Sequence, residues 1–281
     1  RQVADDHLAA VPGDLRPVDP VVGPLQETVE QAELAQDFRV LAPDLAGFGF
    51  SDKSDRFDRS LPRQMTLLEN WLDSMGVQKV HLVGHDLGGG LAQRMATILP
   101  HRVASLCLMN SIAYDSWPIE AMVQLAHPGA NKMVSAPELV QMLRKALTQG
   151  FVAAPDEDIL EGLLAPYGTE IGKLSLIRCA AGLNTNLTTE LAPLLPQLNL
   201  PVTVIWGAED TFQPIKYGER LVWDIPGSKL VRVLSAGHFA MLEQPGIIAA
   251  QVKNHLKEAM LPMSPPPSEP LSQSSPMYRD A

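Results

Sequence analysis

The chain reads as an α/β protein: a mostly parallel sheet with helices on both faces and a helical cap inserted between sheet strands. Two observations predict this. Short apolar runs alternate with stretches of helical periodicity, and the alternation lapses once, between about 115 and 196. FRVLAPD (38–44), KVHLVG (79–84), ASLCLMN (104–110) and PVTVIWG (201–207) have the unbroken apolar character of strands buried on both faces, and SKLVRVLS (228–235) alternates in part. Between them, PRQMTLLENWLDSMG (62–76), GGGLAQRMATILP (88–100), IKYGERLVWDIPG (215–227) and QPGIIAAQVKNHLKEAM (244–260) repeat apolar residues at three- and four-residue spacing.

The resulting division is a core of 36–114 and 197–260, a cap of 115–196, an atypical first segment of 1–35 and a Pro- and Ser-rich tail of 261–281, expected to be disordered. The cap region is helical by composition and offers no clear strand. Apolar residues make up 46% of the 281, enough for a large core.

Charge and composition narrow the partner. With 22 Lys and Arg against 32 Asp and Glu, the formal charge is −10, a field that repels nucleic acid and anionic membranes. A small apolar or weakly polar substrate is the expectation. Cys107 and Cys179 stand far apart in apolar contexts and fit neither a metal site nor a disulfide framework. Without a membrane-length apolar run or a signal-peptide core, a soluble cytoplasmic protein is expected. No histidine pair has metal-ligand spacing, so neither metal nor other cofactor is expected. His81 reads as a core residue; His101, His127 and His255 read as surface or helix-end residues.

In a parallel sheet, ligands sit at the carboxyl ends of strands. Three residues stand just past such ends: Asp86 after KVHLVG, Asp210 after VTVIWG and His238 after LVRVLS. Gly84 and Gly88 flank Asp86 where a sharp strand-to-helix turn leaves no room for side chains, and the helix that follows aims its first N–H groups at the apex. A serine at such an apex must be deprotonated before it attacks, whereas an aspartate with an unperturbed pKa near ~3.9 is already ionised at neutral pH. Attack of a carboxylate on an acyl carbon gives an anhydride that collapses back. Attack on a saturated carbon bearing a halide or a strained epoxide oxygen gives an alkyl ester. His238, oriented by Asp210, then activates water against that ester, with the Leu87 N–H as the first oxyanion donor. Structural readings stand beside these: a helix-capping role for Asp86, a surface histidine at 238, and an Asx-type turn at Asp210, where Glu209 is adjacent.

PDLAGFGFSDKS (43–54), VGHDLGGGLAQ (83–93), WGAEDTFQP (206–214) and AGHFAMLEQP (236–245) make residues from about 36 to 258 resemble the α/β-hydrolase superfamily. Within it they resemble the aspartate-nucleophile branch, the epoxide hydrolases and haloalkane dehalogenases. The resemblance implies an epoxide hydrolase first and a haloalkane dehalogenase as the alternative. Dehalogenases of that branch place a tryptophan after the nucleophile, and fluoroacetate-type ones an arginine; Leu87 stands there instead. Epoxide hydrolases use cap tyrosines to protonate the epoxide oxygen, which puts forward Tyr114 and Tyr167, either of which also faces a site by chance. Trp117 is a candidate halide donor or an interfacial packing residue. A third reading keeps the fold and general-base chemistry through the same three residues.

The first segment departs from the family. Before the DxxGxGxS segment the resemblance requires a strand ending in His-Gly, whose loop carries the second oxyanion donor. Residues 1–35 contain no such strand, and His7 is followed by Leu8. We expect this segment to be foreign to the fold, through a shifted frame, an alternative start or a splice change. A central strand is then missing or badly replaced, which gives a further alternative: a non-catalytic scaffold or small-ligand receptor.

Overall fold

Six strands form one sheet in the computed structural model, which describes residues 7–11 and 33–261. In chain order they are β1 (His7–Val11), β2 (Arg39–Leu41), β3 (Val80–His85), β4 (Val103–Met109), β5 (Val202–Gly207) and β6 (Lys229–Val233), and in space β2-β1-β3-β4-β5-β6. β3 to β6 pair in parallel, and β1 runs antiparallel to both neighbours. Helix α1 (Leu61–Ser74) precedes β3, α2 (Asp86–Ile98) follows it, and α9 (Lys216–Asp224) links β5 to β6. α10 (Ala240–Glu243) and α11 (Pro245–Ala259) close the described chain. The expected tail of 261–281 lies outside the described residues apart from Leu261.

The apolar runs at β3, β4 and β5 are strands covered on both faces, whereas β2, expected to be buried likewise, and β6 lie at the margins of the described sheet and are half-buried or exposed over most of their length. All six residues of β3 and of β5 are buried. Leu106 and Leu108 of β4 join Leu72, Leu91 and Met95 of the helices on one face; Cys107 and Met109 point the other way, toward Ile248, Val252 and Leu256 of α11. Alternate residues of one strand thus serve two cores, the arrangement a doubly covered parallel sheet demands. α1 shows the helical counterpart, burying Leu61, Gln64, Leu68 and Leu72 along one stripe.

Between β4 and β5 the chain leaves the sheet for six helices: α3 (Glu120–Leu125), α4 (Ala130–Met133), α5 (Ala136–Thr148), α6 (Glu157–Leu164), α7 (Glu170–Ala181) and α8 (Asn186–Thr189). They have a core of their own, built on Leu125, Leu139, Leu176 and Ile177. Ser135 and Glu138 form a reciprocal cap at the start of α5, and Thr169 caps α7. Among the described residues no helix is long and apolar enough to cross a membrane.

Two expectations need correction. The slot between β2 and β3, expected to be missing its strand or to hold a poor replacement, is not empty: it holds β1, with His7 opposite Gly84 and Ala10 opposite His81. Backbone groups make a ladder, so a short extended segment fills a gap that would otherwise leave two strands with unpaired N–H and C=O groups. The direction still differs from what the resemblance implies. β1 ends, at Val11, toward the end of β3 opposite to Gly84; residues 12–32 lie outside the described residues. The second correction is His255, which is buried, not superficial.

His255, on α11, belongs to a polar chain between that helix and the sheet. Its ring meets Thr203 Oγ1 and Ser105 Oγ, each at 2.9 Å, and Ser105 also meets His81 Nδ1 at 2.8 Å. Burial, with the neighbouring His81 adding to it, pushes His255 down to about 4, and burial lowers His81 too. An unfolded histidine binds its proton near pH ~6.5. Between about 6.5 and 4 the unfolded chain therefore takes up a proton that the folded chain refuses, and stability falls as the pH drops through that window, on the order of 3 kcal/mol for His255 alone. Urea unfolding at stepped pH checks this: wild type is expected to lose stability more steeply over the window than His255→Gln, and parallel curves contradict it.

Candidate active site

β3 ends at His85 and α2 begins at Asp86, with no residue between. So abrupt a change of direction requires left-handed backbone at the junction, and Asp86 has φ 44°. It also requires the strand and helix to touch. A Cβ on Gly84 would lie 2.5 Å from Gly88 O, and one on Gly89 would lie 2.0 Å from Ser111 Oγ. Ile112 N–H donates to Asp86 O at 3.2 Å, and Gln93 Nε2 donates to Ser111 Oγ and Ile112 O, which binds α2 to the loop after β4.

His238 sits in the turn between β6 and α10, 4% exposed. Its Nδ1 is 3.0 Å from Asp210 Oδ2 and its Nε2 3.9 Å from Asp86 Oδ1. The three residues read from the strand ends therefore come together. Phe212 and Phe239 pack edge-on against the His238 ring, and His85 Nε2 donates to His238 O at 2.9 Å. The His238 N–H donates to Gly150 O at the end of the cap helix α5, at 2.7 Å. Glu243 reinforces that join, accepting from Val152 N at 2.7 Å and Gly237 N at 2.6 Å.

Asp210 is the fixed charge of the site. Its side chain is fully buried, while Glu209 beside it is exposed. Oδ1 accepts from the N–H groups of Phe212 and Gln213, at 2.7 and 2.9 Å; Oδ2 accepts from His238 and from Asn110 Nδ2, at 2.6 Å. Burial alone would push its carboxyl up, but the bond and charge of His238, then the Gln213 N–H and the Asn110 amide, outweigh burial and hold it below the usual carboxylate range. The Asp210 turn and the partner are thus the same structure: the Asx-type bonds that favour Asp in a turn also orient its second oxygen.

A cavity of about 350 Å³ opens over Asp86, between sheet and cap. Asp86, His238, His85, Tyr167 and Gln213 are its polar side chains; the rest of the wall is apolar, with neither Lys nor Arg among the described lining residues. Leu87 lines it, and its N–H belongs to the first turn of α2, where backbone donors have no partner within the helix. Tyr167 lines it from the cap, with Gly49 N–H 3.5 Å from its hydroxyl. Among the described residues no cluster of His, Cys, Asp and Glu is arranged to hold a metal ion.

One candidate falls elsewhere and another lines the cavity in a different capacity. Tyr114 does not line the cavity: it is buried with its hydroxyl donating to Asp224 at 2.7 Å and Arg220 stacked on its ring, and burial with the Asp224 bond raises its pKa. A left-handed turn at Asn110 and a second at Tyr114 send this loop toward α9, which no local pattern in the sequence announces. Trp117 does line the cavity, but its indole N–H donates to Thr188 Oγ1 at 2.6 Å, so it presents a ring and not a donor. Sequence reasoning also missed Asn110, whose Oδ1 accepts from Gly207 N at 3.1 Å while its amide nitrogen holds Asp210. The only available signal was its place at the end of the ASLCLMN run.

A family model described as the alpha/beta hydrolase family matches residues 11–251. An uncharacterized protein of Mycobacterium tuberculosis is 30% identical over 227 residues, which cover 76% of this chain and 66% of that protein. The chain thus spans just under two thirds of that relative's length. A 2-hydroxy-6-oxononadienedioate/2-hydroxy-6-oxononatrienedioate hydrolase of Dechloromonas aromatica is 26% identical, over 75% of this chain and 73% of its own. Among solved structures, the haloalkane dehalogenase DbeA of Bradyrhizobium elkani superposes with a TM-score of 0.70 at 19% identity, covering 82% of this chain and 84% of its own; at that identity the likeness is one of fold.

The crowding at the turn predicts a sharp contrast between two Gly→Ala changes. Gly84→Ala meets only backbone atoms that cannot swing aside and is expected to destabilise by about 3 kcal/mol. Gly246→Ala, in the first turn of α11 with nothing within 4 Å, is expected to be neutral or slightly stabilising. Thermal unfolding of the two variants checks the contrast; equal shifts contradict it.

Proposed function

We propose, from the premise that the chain belongs to the alpha/beta hydrolase family, that it is a hydrolase with Asp86 as nucleophile and an epoxide as substrate. The observation that carries this reading is a carboxylate at the apex of the turn, within 3.9 Å of a histidine that a buried aspartate holds by its other nitrogen. A carboxylate needs no proton removed before it attacks, so Asp86 requires no hydrogen bond from His238. The gap leaves Nε2 directed at the space where water meets an ester of Asp86. In the first step an Asp86 oxygen bonds to an epoxide carbon, the C–O bond of the ring breaks, and the ring oxygen takes a proton from Tyr167. In the second, His238 removes a proton from water, and the hydroxide adds to the Asp86 carboxyl carbon. The Leu87 N–H stabilises the oxyanion; the tetrahedral adduct expels the alkoxide, which takes the proton back from His238 to become the diol, and the Asp86 carboxylic acid so formed gives up its proton, which returns through solvent to the Tyr167 phenolate.

Three features favour epoxides over the neighbouring choices. Leu87 stands beside the nucleophile and the Trp117 N–H is engaged by Thr188, so two sources of a halide cradle are absent. Tyr167 lines the cavity, and an N–H directed at its oxygen stabilises the phenolate left after proton transfer. The dienedioates named for the Dechloromonas aromatica relative carry two carboxylates, and a wall without Lys or Arg offers them no charge partner. We further propose that the protein is cytoplasmic and works on a small uncharged substrate.

Trapping tests this. His238→Gln, mixed with a panel of terminal and aryl epoxides and short haloalkanes, is expected to accumulate a stoichiometric alkyl ester on the peptide that contains Asp86, read by intact and peptide mass. An adduct formed only by haloalkanes transfers the assignment to the dehalogenase alternative. Folded protein with no adduct from any compound removes the nucleophile role and leaves a scaffold or receptor.

A further inference from the structure

Gln213 is the third residue after Asp210, and three features of the site fix it. Its N–H donates to Asp210 Oδ1 at 2.9 Å, its C=O accepts from Trp206 Nε1 at 2.8 Å, and Pro214 follows. The loop that supplies the catalytic acid therefore also sets where this amide stands. Its side chain is 2% exposed and lines the cavity shared by Asp86, Tyr167 and His238.

The amide oxygen is the unusual part. Oε1 is buried, and no hydrogen-bond donor reaches it among the described residues. The two other buried glutamines show what the fold does when an amide serves only structure. Gln64 exchanges hydrogen bonds with both backbone groups of Ala46, and the Gln93 amide nitrogen reaches Gly89 O, Ser111 Oγ and Ile112 O. Buried polar groups are satisfied with few exceptions, and an acceptor left open in a wall of Leu, Met and Phe points to a donor that arrives with the ligand.

We infer that Gln213 is a substrate-binding residue that accepts a hydrogen bond from a neutral donor, a hydroxyl or an amide N–H, carried on an otherwise apolar substrate. This rests on the epoxide reading for the reacting end and adds the chemistry of the other: the substrate is an apolar epoxide bearing a hydroxyl or an amide N–H away from the ring. A charged group does not fit, because the lining near Gln213 offers apolar surface and no Lys or Arg to compensate an anion.

Binding tests the assignment without turnover, so its failure and failure of the ester trap are read separately. Butylbenzene and 4-butylphenol differ by one hydroxyl. Their dissociation constants are measured by calorimetry for wild type and for Gln213→Leu, with circular dichroism to verify folding. The preference for 4-butylphenol is expected to fall by roughly tenfold in Gln213→Leu while butylbenzene binds as well or better. Should that variant not fold, Gln213→Met carries the same expectation. An unchanged preference, or no binding of either ligand by wild type, overturns the assignment.

Discussion

The site depends on one constraint: β3 must become α2 within a single residue, and that residue must be Asp86. Left-handed backbone at a non-glycine position costs on the order of 1 kcal/mol or more and persists only where the surroundings enforce it. Here they do. β3 is buried along its whole length between β1 and β4, Gly84 lies against the backbone of Gly88, and Ile112 holds the Asp86 carbonyl. The same contacts then propagate. Gln93 fastens α2 to Ser111 and Ile112, next to Asn110; Asn110 bridges to Gly207 and Asp210; Asp210 holds His238 and Gln213. Four strand ends are locked to each other through short side chains, and this frame brings His238 to within 3.9 Å of Asp86.

Two carboxylates of one type play different parts because their surroundings differ. Asp210 is enclosed, with four donors on two oxygens, and serves as a fixed negative charge. Asp86 has 30% of its side chain exposed at the floor of an apolar cavity. The cap supplies most of that apolar wall, and it is tied to the histidine turn at Gly150 and Glu243. The cavity wall and the His238 turn are therefore joined mechanically.

Much of this was legible in the residues. The apolar runs and the helical spacing gave the five parallel strands and the main helices, because a strand covered on both faces has no polar alternation to hide it. The three strand-end residues were legible because each stands within five residues of the end of its strand. The rest was settled by groups far apart in the chain. Nothing in HLAAV distinguishes a sheet strand, since its place is defined by the unpaired edges of β2 and β3. Tyr114 turns away from the site because of left-handed backbone at Asn110 and Tyr114, and His255 is buried because Ser105 and Thr203 satisfy its ring. Asn110 acquires its role only across a hundred residues of chain, from Asp210.

The proposed mechanism requires an oxygen of Asp86 to enter the product. Single-turnover hydrolysis of an epoxide in ¹⁸O-water, with enzyme in excess, tests it most directly. A carboxylate nucleophile predicts a first product that carries ¹⁶O from the protein, with ¹⁸O appearing in the peptide that contains Asp86. First-turnover product labelled with ¹⁸O over an unlabelled Asp86 peptide contradicts it, and would mean that His238 and Asp86 drive water directly onto the substrate.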